Sequence, residues 1–114
     1  MVCPESDPHL FYETLKLRYE VYCSERGFER PEDHRHGLET DCYDGHAIHL
    51  AAVKSDTGEV VGTARIIRHS FLGFPIERHF KIDKDLSHVQ RERIGEISRL
   101  AIPKRYSCDY EIFN

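Results

Sequence analysis

An arginine stands where a helix should be apolar. The stretch "SDPHLFYETLKLRYEVYCSERGF", residues 6–28, has helix signals at both ends. Asp7 can cap, Pro8 suits the first helical position, and Gly27 supplies the stop. Phe11, Leu15 and Tyr22 follow helical spacing, and Leu10, Thr14, Leu17 and Val21 widen the same side. Arg18 completes the series 11, 15, 18, 22. A bare guanidinium is expensive to bury, so a fold that buries this stripe must also bring a carboxylate to Arg18.

The same demand recurs further along. Residues 28–45 are polar and irregular, with Pro31 and Gly37 as breakers. "HAIHLAAV" (46–53), the turn "SDTG" (55–58) and "EVVGTARIIR" (59–68) then read as a β-hairpin. Alternation in its second strand groups Val61, Thr63, Arg65 and Ile67 on one face, which puts a second arginine among apolar neighbours. "FPIERHF" (74–80) opens with Pro75 and suits a helical turn. "ERIGEISRLAI" (92–102) reads as a third strand with Ile94, Glu96, Ser98, Leu100 and Ile102 on one face. The order helix, strand, strand, short helix, strand predicts an α/β sandwich with a mainly antiparallel sheet.

Three acids are available to answer the arginines. "GLETDCYDGH" (37–46) places Glu39, Asp41 and Asp44 just ahead of the hairpin. Such acids can be a solvated loop, a site for a hard cation, or partners for arginines. With Arg18, Arg65 and Arg99 interrupting core-like segments, bidentate guanidinium–carboxylate pairing is the expected use. Arg18 and Arg65 should each reach at least one of the three acids. A metal site is not expected. His46 and His49 are three apart on a strand and should face opposite ways, and His34 and His36 flank Arg35. Cys42 lies beside the acids, where a thiolate is disfavoured.

Composition excludes several classes. The chain has 114 residues, 39% of them hydrophobic and 32% charged, which suits one soluble globular domain over residues 1–114. A net charge of -4 argues against broad nucleic-acid binding, and no apolar run is long enough for a membrane span. "MVCPESDPH" has no apolar core for a signal peptide, so a cytoplasmic location is expected. Cys3, Cys23, Cys42 and Cys108 fall at no ligand-like spacing and read as reduced thiols.

These motifs resemble a known family. "LRYEVYCSERGFE" is similar to the opening of acyl-homoserine-lactone autoinducer synthases, members of the GNAT superfamily of N-acyltransferases. "ETDCYD" matches their E-x-D-x-x-D pattern at Glu39, Asp41 and Asp44. "GTARII" matches G-x-x-R at Arg65, and "EISRLAI" matches E-x-S-R at Glu96 and Arg99. The finer wording of "RYEVYCSERGFE", "GLETDCYD" and "RERIGEISRLAIPKRY" is closer to long-chain N-acyl amino acid synthases and exosortase-associated acyltransferases of PEP-CTERM systems. Phe28 stands where autoinducer synthases carry Trp. The resemblance implies a GNAT-like fold, of which this chain would be the N-terminal half. It also implies transfer of a fatty acyl group from acyl carrier protein or coenzyme A to a small amine, with no tightly bound cofactor. The alternatives are a lactone synthase using S-adenosylmethionine, or a non-catalytic truncated binding module.

On this reading Glu96 is the candidate base for a protonated amine, acting directly or through water. Arg99 accompanies it, and the backbone N–H groups of Leu100 and Ala101 could bind the oxyanion if a bulge frees them. Arg18, Phe28, Glu39, Asp41, Asp44 and Arg65 would shape the acceptor pocket. Glu96 and Arg99 point to opposite faces of a regular strand, so a break is expected between Ile97 and Ala101, with Glu96 facing the cavity of the acidic cluster. Residues 93–102 would present an unpaired edge, and self-association through them is expected.

Overall fold

The computed structural model describes residues 6–81 and 89–107. Helix α1 spans Pro8–Tyr19. The Asp7 side chain caps it by accepting from the backbone N–H of His9 and Leu10, at 3.1 and 3.2 Å, which satisfies two of the orphan donors at its start. The helix continues as a π-helical segment over Glu20–Glu25, closed by the Arg26 N–H on the Val21 carbonyl at 2.9 Å. Gly27 then breaks it at φ +65°, a conformation that costs a glycine little. The widened turn keeps Val21 and Cys23 buried while Tyr22 stays half-buried.

Three strands form one antiparallel sheet in the order β1–β2–β3. Strands β1 (Ala47–Val53) and β2 (Val60–Arg68) are the expected hairpin, and β3 (Gly95–Ala101) lies on the far side of β2. The hairpin closes with Lys54 N–H to Glu59 O at 2.9 Å and Gly58 N–H to Lys54 O at 2.8 Å, with Gly58 at φ +74°. Helix α1 packs chiefly over the central strand β2. Leu17 and Val21 of the helical stretch meet Ala51, Val60 and Ala101 in one apolar cluster. Tyr43, Ala47, Ile67 and Phe74 make a second cluster at the other end of the sheet. A short helix α2 (Lys104–Ser107) follows β3, its first N–H donating to both Glu25 carboxylate oxygens at 3.1 Å.

Several expectations need correction. Val60, not Val61, joins the core. The register steps from Ala52↔Gly62 to Val53↔Val60, so Val61 is an extra residue and the inward alternation is displaced by one. The third strand begins at Gly95, because Arg91–Arg93 forms a 3-10 turn. The expected single face of β3 fails at Leu100, a residue 69% exposed. His46 belongs to a 3-10 turn over Asp44–His46 rather than to β1. The helical turn expected of "FPIERHF" is present, as a 3-10 turn at Pro75–Arg78. Cys23 and Cys42 carry free thiols, whereas Cys3, Cys108 and most of the C-terminal tail lie outside the described residues.

Candidate functional site

The three arginines and three acids close into a ring. Arg18 comes from α1, Arg65 from the centre of β2 and Arg99 from β3. The acids come from the loop between the helical stretch and β1, where Glu39 is pinned by its N–H on the Leu15 carbonyl at 3.2 Å. Arg18 Nε donates to Glu39 Oε1 at 2.9 Å, and Arg99 Nε donates to the same oxygen at 2.8 Å. Arg99 Nη2 reaches Asp41 Oδ2 at 3.5 Å. Arg65 Nη1 donates to Asp41 Oδ1 at 2.6 Å and to Asp44 Oδ1 at 2.8 Å. Arg18 Nη1 completes the circuit on Asp44 Oδ1 at 2.8 Å. Around this cycle every charge has two neighbours of opposite sign, and the six formal charges cancel.

Burial makes that cancellation necessary. Arg18, Arg65 and Glu39 are at most 1% exposed, while Asp41, Asp44 and Arg99 are partly covered. Remaining hydrogen-bonding capacity is used locally. Asp44 Oδ2 accepts the Asp41 N–H at 2.8 Å, Asp41 Oδ1 accepts the Tyr43 N–H at 3.0 Å, and Arg65 Nε donates to Ser98 Oγ at 2.8 Å. Burial would raise the carboxyl pKa of Glu39, yet Arg18 and Arg99 together hold it below the ordinary glutamate value. Against the same desolvation, Arg65 holds Asp41 low, and Arg18 with Arg65 holds Asp44 low. Arg18 and Arg65 are raised in turn, their acids outweighing burial. The pairing expected of both arginines is therefore present.

Strand β3 is distorted where the candidate residues meet. Its register runs Ser98↔Arg65 and then Ala101↔Thr63, so three steps on β3 answer two on β2. Arg99 takes φ +53°, which is uncommon for a residue other than glycine. This is the expected break between Ile97 and Ala101. It turns the Arg99 guanidinium onto Glu39 and over the Tyr22 ring, 5.0 Å from the ring centroid. The Tyr22 hydroxyl donates to the Leu100 carbonyl at 3.1 Å. Phe28 is 65% exposed, with its ring 6.2 Å from that of Tyr22.

Glu96 sits elsewhere than expected. Its Oε1 accepts the Ile76 N–H at 2.9 Å, so the carboxylate turns to the Pro75–Arg78 turn rather than into the ionic ring. It shares a sheet face with Ser98 and Arg65, but it is paired with none of Arg18, Arg65 and Arg99. Sequence reading did not single out Ser98 or Tyr22 as site residues. The signals available were the i, i+2 relation of Ser98 to Glu96 and the position of Tyr22 four residues beyond Arg18.

Other chemistry fits less well. Glu29, His34 and Glu39 bring ligand atoms within 4.8 Å of one another. Glu39 already accepts from two guanidiniums, so a cation there would face two positive charges at close range. The Cys23 thiol is pushed up by burial and then by Glu39, Glu29 and Asp33, which suppresses its nucleophilic form. A cavity of about 310 Å³ opens beside Asp44, between Phe11, His49 and Arg68. Among the described residues no helix is long and apolar enough to cross a membrane.

A family model described as an acetyltransferase (GNAT) domain matches residues 17–110, a span that includes every candidate residue above. Neither the curated proteins nor the solved structures yielded a match. The family match covers most of the chain and agrees with its helix-over-antiparallel-sheet architecture, so the chain belongs to the GNAT acetyltransferase domain family.

Proposed function

We propose that this domain moves an acyl group from a coenzyme A or acyl carrier protein thioester to the amine of an amino acid or a related small acceptor. Membership of the GNAT family supports acyl transfer in general. The observation that carries the finer reading is the bulge at Arg99 and Leu100, set directly against a neutralised ring of buried charges. In the reaction the amine nitrogen attacks the thioester carbon, an oxyanion forms, and the carbon–sulfur bond breaks to release a thiol. Backbone N–H groups at Leu100 and Ala101 are assigned to the oxyanion, in the manner of preorganised donors. Glu96 is assigned the amine proton, through the oxygen not held by Ile76 or through a water.

The ring supports a role for Arg99 in recognition. Arg18 and Arg65 have side chains only 1% and 2% exposed, whereas the Arg99 side chain is 21% exposed and spends Nε and Nη2 on its acids. Its Nη1 makes no hydrogen bond to a described residue and is assigned the acceptor's carboxylate. Phe28 and Tyr22 would line the same approach. The remaining ring members, Arg18, Glu39, Asp41, Asp44 and Arg65, hold Arg99 in place.

The test is direct. The purified protein is incubated with acyl-coenzyme A or acyl carrier protein thioesters and either amino acids or S-adenosylmethionine, and N-acyl products are sought by mass spectrometry. An N-acyl amino acid is expected, and a lactone formed only from S-adenosylmethionine would replace this reading by the autoinducer one. Glu96→Gln should keep the fold and lower transfer about 100-fold or more, the range of general-base contributions. Full activity in that variant removes Glu96 as the base.

A further inference from the structure

Tyr22 touches the bulge in two ways that the assigned chemistry leaves unused. Its ring lies under the Arg99 guanidinium at 5.0 Å, and its hydroxyl donates to the Leu100 carbonyl at 3.1 Å. One side chain therefore holds both the side chain of the left-handed residue, at φ +53°, and the carbonyl of the residue after it. The contact joins segments 78 residues apart in sequence. It also lies where the helix departs from α geometry, within the Glu20–Glu25 segment that swings Tyr22 toward β3.

The consequence follows from the peptide plane. No cis peptide bond occurs among the described residues, so the bond joining Leu100 to Ala101 is trans and planar. Its carbonyl and the Ala101 N–H point in opposite directions. A hydrogen bond that directs the Leu100 oxygen to Tyr22 thereby directs the Ala101 N–H the other way. The bulge loosens the ladder up to Leu100, and pairing resumes at Ala101 opposite Thr63, so the Leu100 side of this plane is where Tyr22 supplies a hold. If it turned over, a carbonyl oxygen would occupy the place of the N–H and would repel a developing oxyanion.

We propose that Tyr22 is a positioning residue for acyl transfer: its hydroxyl latches the Leu100–Ala101 peptide so that the Ala101 N–H stays aimed at the thioester oxygen. This rests on the acyl-transfer reading above and adds to it the group that orients the donor. The hydroxyl latch acts on the transition state, where charge on that oxygen is greatest, and leaves acceptor binding to Arg99, Phe28 and the Tyr22 ring.

Tyr22→Phe is the discriminating variant, because it deletes the hydroxyl and keeps the ring under Arg99. With the wild-type and variant proteins, kcat and the acceptor KM are measured for transfer from an acyl thioester. Loss of one hydrogen bond to the bulge should lower kcat about tenfold with KM within about twofold. A purely structural role would instead leave kcat intact and lower only the melting temperature, and that result overturns the proposal. Tyr22→Leu, which removes the ring as well, should raise the acceptor KM in addition. Amide hydrogen exchange at Ala101 gives a readout independent of activity. It should quicken about tenfold in Tyr22→Phe, and unchanged exchange refutes the latch. Absence of acyl transfer from the wild-type protein, with quickened exchange in the variant, would place the failure in the reaction assigned and not in the latch.

Discussion

Two groups of arginines and carboxylates join the same layers of this chain, one beneath the helix and one at its rim. Inside, Arg18, Arg65 and Arg99 alternate with Glu39, Asp41 and Asp44, and three of the six are almost wholly withdrawn from water. At the rim, Arg105 of α2 reaches Glu20 of the π-helical segment at 2.9 Å and Glu59 of the hairpin at 3.1 Å, while Tyr106 bonds to both Arg105 and Glu59. The chemistry is shared, and Arg105 is raised by its acids just as the inner arginines are. Solvent separates them. The Arg105 side chain is 50% exposed, and its acids are 33% and 47% exposed. Water can replace a lost partner at the rim, whereas inside, a lost partner strands a charge.

The comparison is broken or sharpened most strongly at Arg65. Arg65→Ala leaves Asp41 and Asp44 short of a buried cation and should cost about 3–5 kcal/mol, read from urea unfolding. A cost below about 1 kcal/mol would put the ring on the level of an exposed pair and erase the distinction.

Acid comes next. The folded pKa values of Glu39, Asp41 and Asp44 lie below their unfolded ones, so the unfolded chain binds more protons at mildly acid pH. Their contribution is complete above the ordinary carboxylate range, about pH 4, and drains away as pH falls through the folded values. Melting temperature should therefore fall steeply below about pH 4, and in Glu39→Gln the fall should be shallower. Parallel curves for the two proteins would show that the ring does not govern acid stability.

Arg99 tests the middle of the scale. Its side chain is 21% exposed, yet its acid Glu39 is fully buried. Arg99→Ala should cost about 1–3 kcal/mol in the same urea experiment, because Glu39 loses both bonds from Arg99 and keeps its partner Arg18. A cost equal to that of Arg65→Ala would mean that closure of the ring matters more than burial of its members.

The smallest effect belongs to the rim. Arg105→Ala should cost about 1 kcal/mol or less, and salt at about 0.5 M should remove most of that difference while leaving the Arg65→Ala cost nearly unchanged. A rim contribution indifferent to salt would mean that packing of the Arg105 stem and the Tyr106 ring, 4.2 Å from the guanidinium, outweighs its charge.

Local rules were enough for much of this molecule. Asp7, Pro8 and Gly27 bound the helical stretch because capping and left-handed stops act within a few residues. Hairpin turn chemistry at residues 55–58 and alternation around Arg65 act over similar distances. The need for acids opposite Arg18 and Arg65 was also legible, since a charge on an apolar face creates a debt that only an opposite charge settles. Pattern could not go further at Val61 and Leu100, where a single extra residue in each strand reversed the expected facing. Nor could it place Glu96, whose carboxylate is captured by the Ile76 N–H 20 residues away.

From the sequence alone came the elements, the two misplaced arginines and the acids that had to meet them. Tertiary structure alone decided that six charges form a closed ring rather than three separate pairs, that Ser98 and Tyr22 support its edges, and that the break expected in β3 carries Arg99 onto Glu39. The reason is one of range. Propensity and periodicity act across one or two turns of chain, whereas ring closure joins partners 21 to 60 residues apart and depends on how the helix settles on the sheet.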